Sequence, residues 1–350
     1  MAKHTNHHRS KPLSTLNKFQ KRLRKEHKTS LLLIGAPGSG KTTLMKRITN
    51  AIITFESYCW LLNFADYTDD HPISLNDLLI INHLEDTDCG DPSSVDSDIK
   101  WIMSNQCLCT LVLDGIDQST FTINPNPPKG VKANEKVKPS ILFGLILTRK
   151  LLPDVRLVMS SQPHSVNSFV RQLRSDMIAY VNDLEEADMI LLLKFHFKGA
   201  HQALLNKLKT TALPILRLMY TPLFIFLIAI IHKNGPDNIL DSLKTQSKVF
   251  EQIFKLLKIS NHNHRPQSGA NDGKGTIDLK LVDRALSELA YEKTLEGSVV
   301  ITSEDFERYN LIGETVQNLM LSSSRMIKGN SNFYFQHQTL QVSFEISFYR

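Results

Sequence analysis

Residues 31–42 read Leu31-Leu-Leu-Ile34-Gly35-Ala-Pro-Gly-Ser-Gly-Lys41-Thr42. An apolar run closed by Gly-x-x-x-x-Gly-Lys-[Ser/Thr] places a phosphate-binding loop at the end of a buried strand. The glycines let the chain curl so that successive N–H groups converge on one anion. Lys41 adds a mobile cation for the terminal phosphates, and Thr42 a hydroxyl for Mg²⁺. Thr43-Leu-Met-Lys-Arg-Ile48 continues as a helix whose N-terminus faces the phosphates. Gly35, Ala36, Pro37, Gly38, Ser39, Gly40, Lys41, Thr42 and Thr43 are therefore the expected phosphate-site residues, for a nucleoside triphosphate with Mg²⁺.

Working outward, four more apolar segments read as strands beside Leu31–Ile34: Tyr58–Phe64, Leu108–Leu113, Arg156–Ser160 and Met177–Val181. Their consecutive apolar residues suit strands covered by helices on both faces. Helical patterns lie between them, as in Leu75–Ile81 and Ile141–Leu151. The expectation is a doubly wound parallel α/β sheet over residues 29–182, with ligands gathered at the carboxyl ends of its strands. Residues 121–139, rich in proline, lysine and asparagine, read as a mobile surface loop.

The third strand ends in Leu113-Asp114-Gly-Ile-Asp117-Gln118. An acid at that position is what a Walker B motif requires, because Mg²⁺ needs an oxygen ligand opposite the phosphate loop. Asp114 is thus the expected metal ligand together with Thr42. Asp117, about one turn on, is placed to orient or polarise the attacking water, although an Asp in a turn needs no catalytic reason.

After Val181 only helices are expected: Glu185–Phe197, Ala203–Leu208, an apolar helix from Pro222, and Ser247–Ile259. These make a helical domain over 183–259. Residues 260–276 read as a linker. A final unit, 277–350, is expected to hold helices at Asp278–Leu295, Ser303–Tyr309 and Glu314–Leu321. A hairpin of Arg325–Lys328 with Asn332–Gln336 and a last helix near His337 would complete it. That order is compatible with a winged-helix unit. The longest apolar stretch, Leu218–Ile231, is shorter than the roughly 20 residues that cross a bilayer, so no membrane span is expected.

Charge is unevenly placed. The formal net charge is +6, yet residues 1–28 carry nine Lys/Arg against Glu26 alone, which leaves the rest near −2. Such a basic leader is either a solvated tail running into a helix or a contact for nucleic acid or acidic lipid. Cys59, Cys89, Cys107 and Cys109 lack zinc spacing, and Cys107 and Cys109 are expected to alternate along one strand. Few, unpatterned cysteines fit a reducing, cytoplasmic setting. His4, His7, His8, His262 and His264 have no acids or cysteines at ligand spacing and read as polar loops.

The series Gly35–Thr42, Asp114-Gly-Ile-Asp117 and Ser160-Ser161-Gln162-Pro163 resembles the NACHT family of signal-transducing P-loop NTPases, the nucleotide switches of NOD-like receptors. Thr221-Pro222-Leu223 resembles the family's helical-domain proline, and Phe333-Tyr-Phe-Gln-His337-Gln-Thr-Leu-Gln341 its winged-helix Phe-x-His-x-x-x-Gln signature. The resemblance covers about residues 28–350. It implies adenine packing by Pro222, water activation by Asp117 and a contact of His337 with the β-phosphate of ADP. The chain departs from the pattern twice: Gln118 stands where the family usually has Glu, and Gln162 where it usually has Arg. An amide can donate only a neutral hydrogen bond to a γ-phosphate that an Arg would neutralise, so hydrolysis is expected to be slow or absent. Gln162 and Asp117 are the positions expected to govern it.

The leading expectation is an ATP/ADP switch that self-associates in its ATP state, in innate-immune or cell-death signalling. A DNA-linked AAA+-type ATPase is the rival, with strongly salt-dependent DNA binding as its signature. A non-hydrolysing scaffold holding nucleotide as structural glue is the third. Asn234–Asp237 follows a helix rather than a strand and reads as a turn, not a guanine motif. The short stretches outside the recognised motifs leave no room for effector domains or sensor repeats, so a fragment of a longer receptor or a stripped-down member is expected.

Overall fold

The computed structural model describes residues 29–53, 58–80, 92–119, 121–163, 165, 175–211, 213–234, 239–243, 245, 248–249, 251–252, 279–296, 298, 301–309, 311, 321–323 and 333–335. The basic leader, the 260–276 linker, Cys89, His337 and the expected strand Arg325–Lys328 lie outside them, as do most of Ser247–Ile259 and all of Glu314–Leu321 except Leu321. The chain divides into two units: Met1–Ala36 with Lys41–Val181, and Pro37–Gly40 with Asn182–Arg350. The division near residue 181 falls where strands give way to helices.

The first unit is built on five parallel strands: β1 (Ser30–Gly35), β2 (Tyr58–Asn63), β3 (Cys109–Asp114), β4 (Arg156–Ser161) and β5 (Met177–Val181). Their order is β2-β3-β4-β1-β5, so β4 lies between the strand that ends in the phosphate loop and the strand that ends in Asp114. Register aligns those ends. Leu33 and Ile34 of β1 face Ser160 and Ser161 of β4, and Leu113 of β3 faces Met159.

Helix α1 (Lys41–Ile53) covers one sheet face. Its Met45, Ile48 and Ile52 pack with Leu31 and Leu33 of β1, Val112 of β3 and Val158 of β4. The alternate residues Leu32, Ile34, Leu111, Leu113, Leu157 and Met159 are buried too. A strand buried on both faces cannot alternate apolar with polar, which is why these segments read as continuous apolar runs. Helices α2 (Leu75–Leu79), α3 (Pro92–Ser104) and α4 (Pro139–Leu147) complete the unit. α4 is apolar all round and has eight buried residues, as a core helix must be. Gly144 on α4 is required by close approach: a Cβ there would lie 2.4 Å from the Asn124 carbonyl oxygen.

Two expectations need correction here. Residues 121–139 form a loop, but one pinned to the core rather than free. Phe121 and Ile123 are buried, Phe121 stacks on Phe143, and Val137 and Ile73 exchange backbone hydrogen bonds of 3.0 and 2.9 Å. Its polar composition hid two apolar anchors. Cys107 belongs to a 3-10 turn at Gln106–Leu108, so only Cys109 lies in β3, and the pair does not share a strand face.

In the second unit α5 (Glu186–Phe197), α6 (His201–Thr211), α7 (Leu213–Leu218) and α8 (Pro222–Asn234) enclose a core containing Leu193, Phe197, Leu205, Ile215, Met219, Ile225 and Ile228. Pro222 opens α8, where its fixed φ suits the first turn and no intrahelical N–H is lost. Leu223 N–H donates to the Gly38 carbonyl at 3.3 Å. Farther on come α9 (Leu279–Leu295) and α10 (Ser303–Arg308), the latter opened by a capping box between Thr302 and Asp305. β6 (Leu321–Ser323) pairs antiparallel with β7 (Phe333–Phe335). The second strand falls where the sequence placed it. Its partner is Leu321–Ser323, and Leu321, expected to end a helix, is in that strand.

Candidate functional site

The site is assembled at the carboxyl ends of β1, β3 and β4. β1 ends at Gly35, the turn passes through Gly38 and Gly40 at φ +78° and +92°, and α1 begins at Lys41. Both glycines occupy the left-handed region that a side chain disfavours. Lys41 Nζ donates to the carbonyls of Gly35 at 2.8 Å and Ala36 at 3.0 Å, curling back along its own loop. Burial pushes the Lys41 ammonium below its ordinary pKa, against the opposing pull of Asp117 and Asp114. That opposition places the cation in the field of both acids. Thr42 and Thr43 are exposed in the first turn of α1.

Asp114 is the last residue of β3 and is 9% exposed. Ser160 Oγ donates to Asp114 Oδ1 at 2.5 Å and accepts from Gly115 N–H at 2.8 Å. Gly115 takes φ +71°, and a Cβ there would meet the Gln118 side chain at 2.8 Å, so the turn after Asp114 is closely folded over itself. Asp117 lies in the 3-10 turn Ile116–Gln118, and its Oδ1 accepts from the Gln162 backbone N–H at 2.9 Å. One oxygen of Asp117 therefore ties the end of β3 to the end of β4. Gln162 is only 6% exposed.

The residues present fit a nucleotide. Ser39 is buried, and its hydroxyl has no hydrogen-bond partner among the described residues. Buried hydroxyls are normally paired, and a phosphate oxygen is an acceptor of the right kind at this loop. Among the described residues Asp114 Oδ2 takes no protein hydrogen bond, which leaves it for a hard cation. Those residues contain no cluster of three or more His, Cys, Asp or Glu. Mg²⁺ does not need one, since it is held by one or two protein oxygens together with phosphates and water.

The structure thus brings Gly35, Lys41, Asp114, Asp117 and Gln162 to the carboxyl end of the first unit's sheet. Pro222 is the first residue of α8 in the second unit, and His337 lies outside the described residues. Sequence reasoning missed one contributor: Ser160 enters it only as part of a motif, and its contact with Asp114 spans 46 residues of chain. Ser39 is an expected loop position, to which the structure adds a buried hydroxyl without a partner among the described residues. Cys59 and Cys109 play no such part: burial raises both thiols to about 11, leaving them protonated and unreactive.

A phosphate loop after the first strand of a parallel sheet, with an acid ending a strand two places away, defines a P-loop NTPase domain. Residues 29–200, just under half of the chain, match the family model of the NACHT domain. A search of curated proteins finds no match. Among solved structures the chain is similar to Drosophila ORC bound to DNA, at 9% identity and a TM-score of 0.39, over 95% of this chain and 85% of that one. It is similar also to Cdc6p from Pyrobaculum aerophilum, at 13% identity and a TM-score of 0.37, over 99% and 98% respectively. No described helix is long and apolar enough to cross a membrane.

Proposed function

We propose that the protein is an ATP/ADP-binding signalling switch of the NACHT type, with slow or absent hydrolysis and self-association in the ATP state. The observation that carries this reading is the convergence of the phosphate loop, Lys41 and Asp114 on the carboxyl end of the sheet, where the residue after β4 is the neutral Gln162. Lys41 and the loop N–H groups would hold the phosphates, and Thr42 and Asp114 are the residues that would hold Mg²⁺. Bound there, Mg²⁺ would neutralise charge on the terminal phosphates. Asp117 has one oxygen committed to the Gln162 N–H, so its other oxygen alone is available to orient water.

A switch needs differential contacts with its two ligands. The family resemblance assigns that contact to His337 on the β-phosphate of ADP, and places Pro222 against adenine. Innate-immune or cell-death signalling in the cytoplasm is the setting that resemblance supports. The deciding experiment is chromatography of the nucleotide released when purified protein is denatured, followed by single-turnover hydrolysis. Bound ADP or ATP with turnover far slower than a dedicated ATPase supports the switch, and brisk turnover overturns it. Nucleotide that never exchanges or turns over favours a scaffold.

Two substitutions test the parts. Gln162→Arg restores a cation at the end of β4 and is expected to speed hydrolysis or to strengthen preference for the triphosphate. Brisk wild-type turnover that this change leaves untouched would show that the position does not limit the chemistry. His337→Leu is expected to reduce the preference for ADP by about ten- to a hundredfold, the worth of one charge-assisted hydrogen bond. Sedimentation should then show oligomers in ADP. Unchanged ADP affinity and unchanged sedimentation would remove His337 from the switch.

A further inference from the structure

We infer that Ser160 is a positioning residue for the metal ligand Asp114. It selects which carboxylate oxygen faces the nucleotide and thereby sets how strongly Mg²⁺ supports binding. The inference rests on the nucleotide-binding reading and deepens it at one residue.

A carboxylate at a strand end can swing about its terminal torsion, which has a broad, roughly two-fold profile. Left alone, Asp114 would present either oxygen. Ser160 removes that freedom. It is fully buried, level with Asp114 across the β3–β4 pair, and its single hydroxyl proton is donated to Oδ1 at 2.5 Å. The hydroxyl is itself oriented, because one of its lone pairs accepts from Gly115 N–H at 2.8 Å. The result is a closed relay from the backbone after Asp114, through Ser160, and back to the carboxylate of Asp114.

Two further features make the relay stiff. Gly115 holds φ +71°, so its N–H belongs to a turn that few other residues could adopt. The Asp117 carboxylate on the Gln162 N–H fixes β3 to β4 a second time, one turn beyond. With Oδ1 committed, Oδ2 is the oxygen left for a cation. Groups that orient a metal's ligands without touching the metal commonly change its affinity by 10–100-fold when removed.

The test compares ATP affinity with Mg²⁺ and in EDTA, by calorimetry, for wild type, Ser160→Ala, Ser160→Cys and Ser160→Thr. Wild type should bind more tightly with Mg²⁺. Ser160→Ala should lose about tenfold of that Mg²⁺ advantage while its affinity in EDTA stays within about twofold. Ser160→Cys keeps nearly the same volume with a weak donor and should behave like the alanine variant, so the outcome survives if Ser160→Ala does not fold. Ser160→Thr keeps the hydroxyl and should retain the advantage. A merely structural role would weaken both conditions alike, and that result overturns the inference, as does a full Mg²⁺ advantage in the alanine or cysteine variant. A wild type that binds ATP with no Mg²⁺ advantage also overturns it. A wild type that binds no nucleotide in either condition refutes the underlying reading instead.

Discussion

Lys41→Ala is expected to weaken both ATP and ADP by about a hundredfold or more, while cooperative unfolding stays at its wild-type denaturant midpoint. Each charge-assisted hydrogen bond is worth about 1.5–3 kcal/mol, and the ammonium can offer two or three to phosphate oxygens. The structure explains why the fold should not suffer. Among the described residues Lys41 Nζ bonds only to the carbonyls of Gly35 and Ala36, the second of these contacts being exposed, so water can replace it. The side chain is also partly desolvated beside two acids without an ion-pair partner among the described residues. Such an arrangement makes sense for a group awaiting an anion. Calorimetric titration decides it: wild-type affinity in the mutant would end the phosphate-loop assignment.

The first unit was legible in the sequence because its signals are local and mutually consistent. An apolar strand, a glycine turn with two left-handed positions and a Lys-Thr helix start all lie within residues 30–42. All five strands were readable: β1, β3 and β4 are buried on both faces and read as uninterrupted apolar runs, whereas β2 and β5 leave Tyr58, Ile178 and Tyr180 exposed and were legible from their aliphatic and aromatic content. The β2-β3-β4-β1-β5 order was not, because neighbours in a parallel sheet are chosen by long crossovers that leave no local trace. α3 escaped notice for a different reason. In Pro92–Ser104 the residues Val95, Ile99 and Ile102 form only a thin apolar stripe among aspartates and serines. The hairpin was half right because Gly329-Asn330 is a strong turn signal. That signal puts the expected first strand at Arg325–Lys328, outside the described residues, whereas the described partner of Phe333–Phe335 is Leu321–Ser323. The Ser160–Asp114 relay lay beyond sequence reasoning altogether, because it is created by register between two strands.

The largest stability effect is expected at Asp305→Ala, in the second unit, at about 3 kcal/mol. Asp305 is nearly inaccessible, and its Oδ2 accepts from Lys293 Nζ at 2.9 Å and from the Thr302 N–H and hydroxyl at 2.8 and 3.0 Å. Its own backbone N–H donates to Thr302 Oγ1 at 3.3 Å, completing the box that starts α10. Removing one partner of a buried pair typically costs about 3–5 kcal/mol, because the other charge is left behind. The lower end applies here, since Lys293 keeps Glu296 at 3.0 Å. Burial alone would raise the Asp305 carboxyl, but the Thr302 N–H and the Lys293 ammonium together bring it below its ordinary 3.8. Burial likewise opposes the charge on Lys293, yet its bonds to Asp305 and Glu296 raise it above 10.5. A depressed carboxylate gives stability that is present above its unfolded pKa and lost as pH falls through the folded one. A raised ammonium gives stability that is present below 10.5 and lost as pH rises through its folded value. The pair therefore contributes fully between about pH 5 and pH 10 and fades at either extreme. Urea denaturation of wild type and Asp305→Ala should show the full gap at neutral pH and a narrower one below about pH 3. Asp305→Asn, which keeps the shape and loses the charge, should fall between them at neutral pH and converge with wild type in acid. A gap of the same size at both pH values would show that Asp305 acts by packing alone, and that its bond to Lys293 adds nothing.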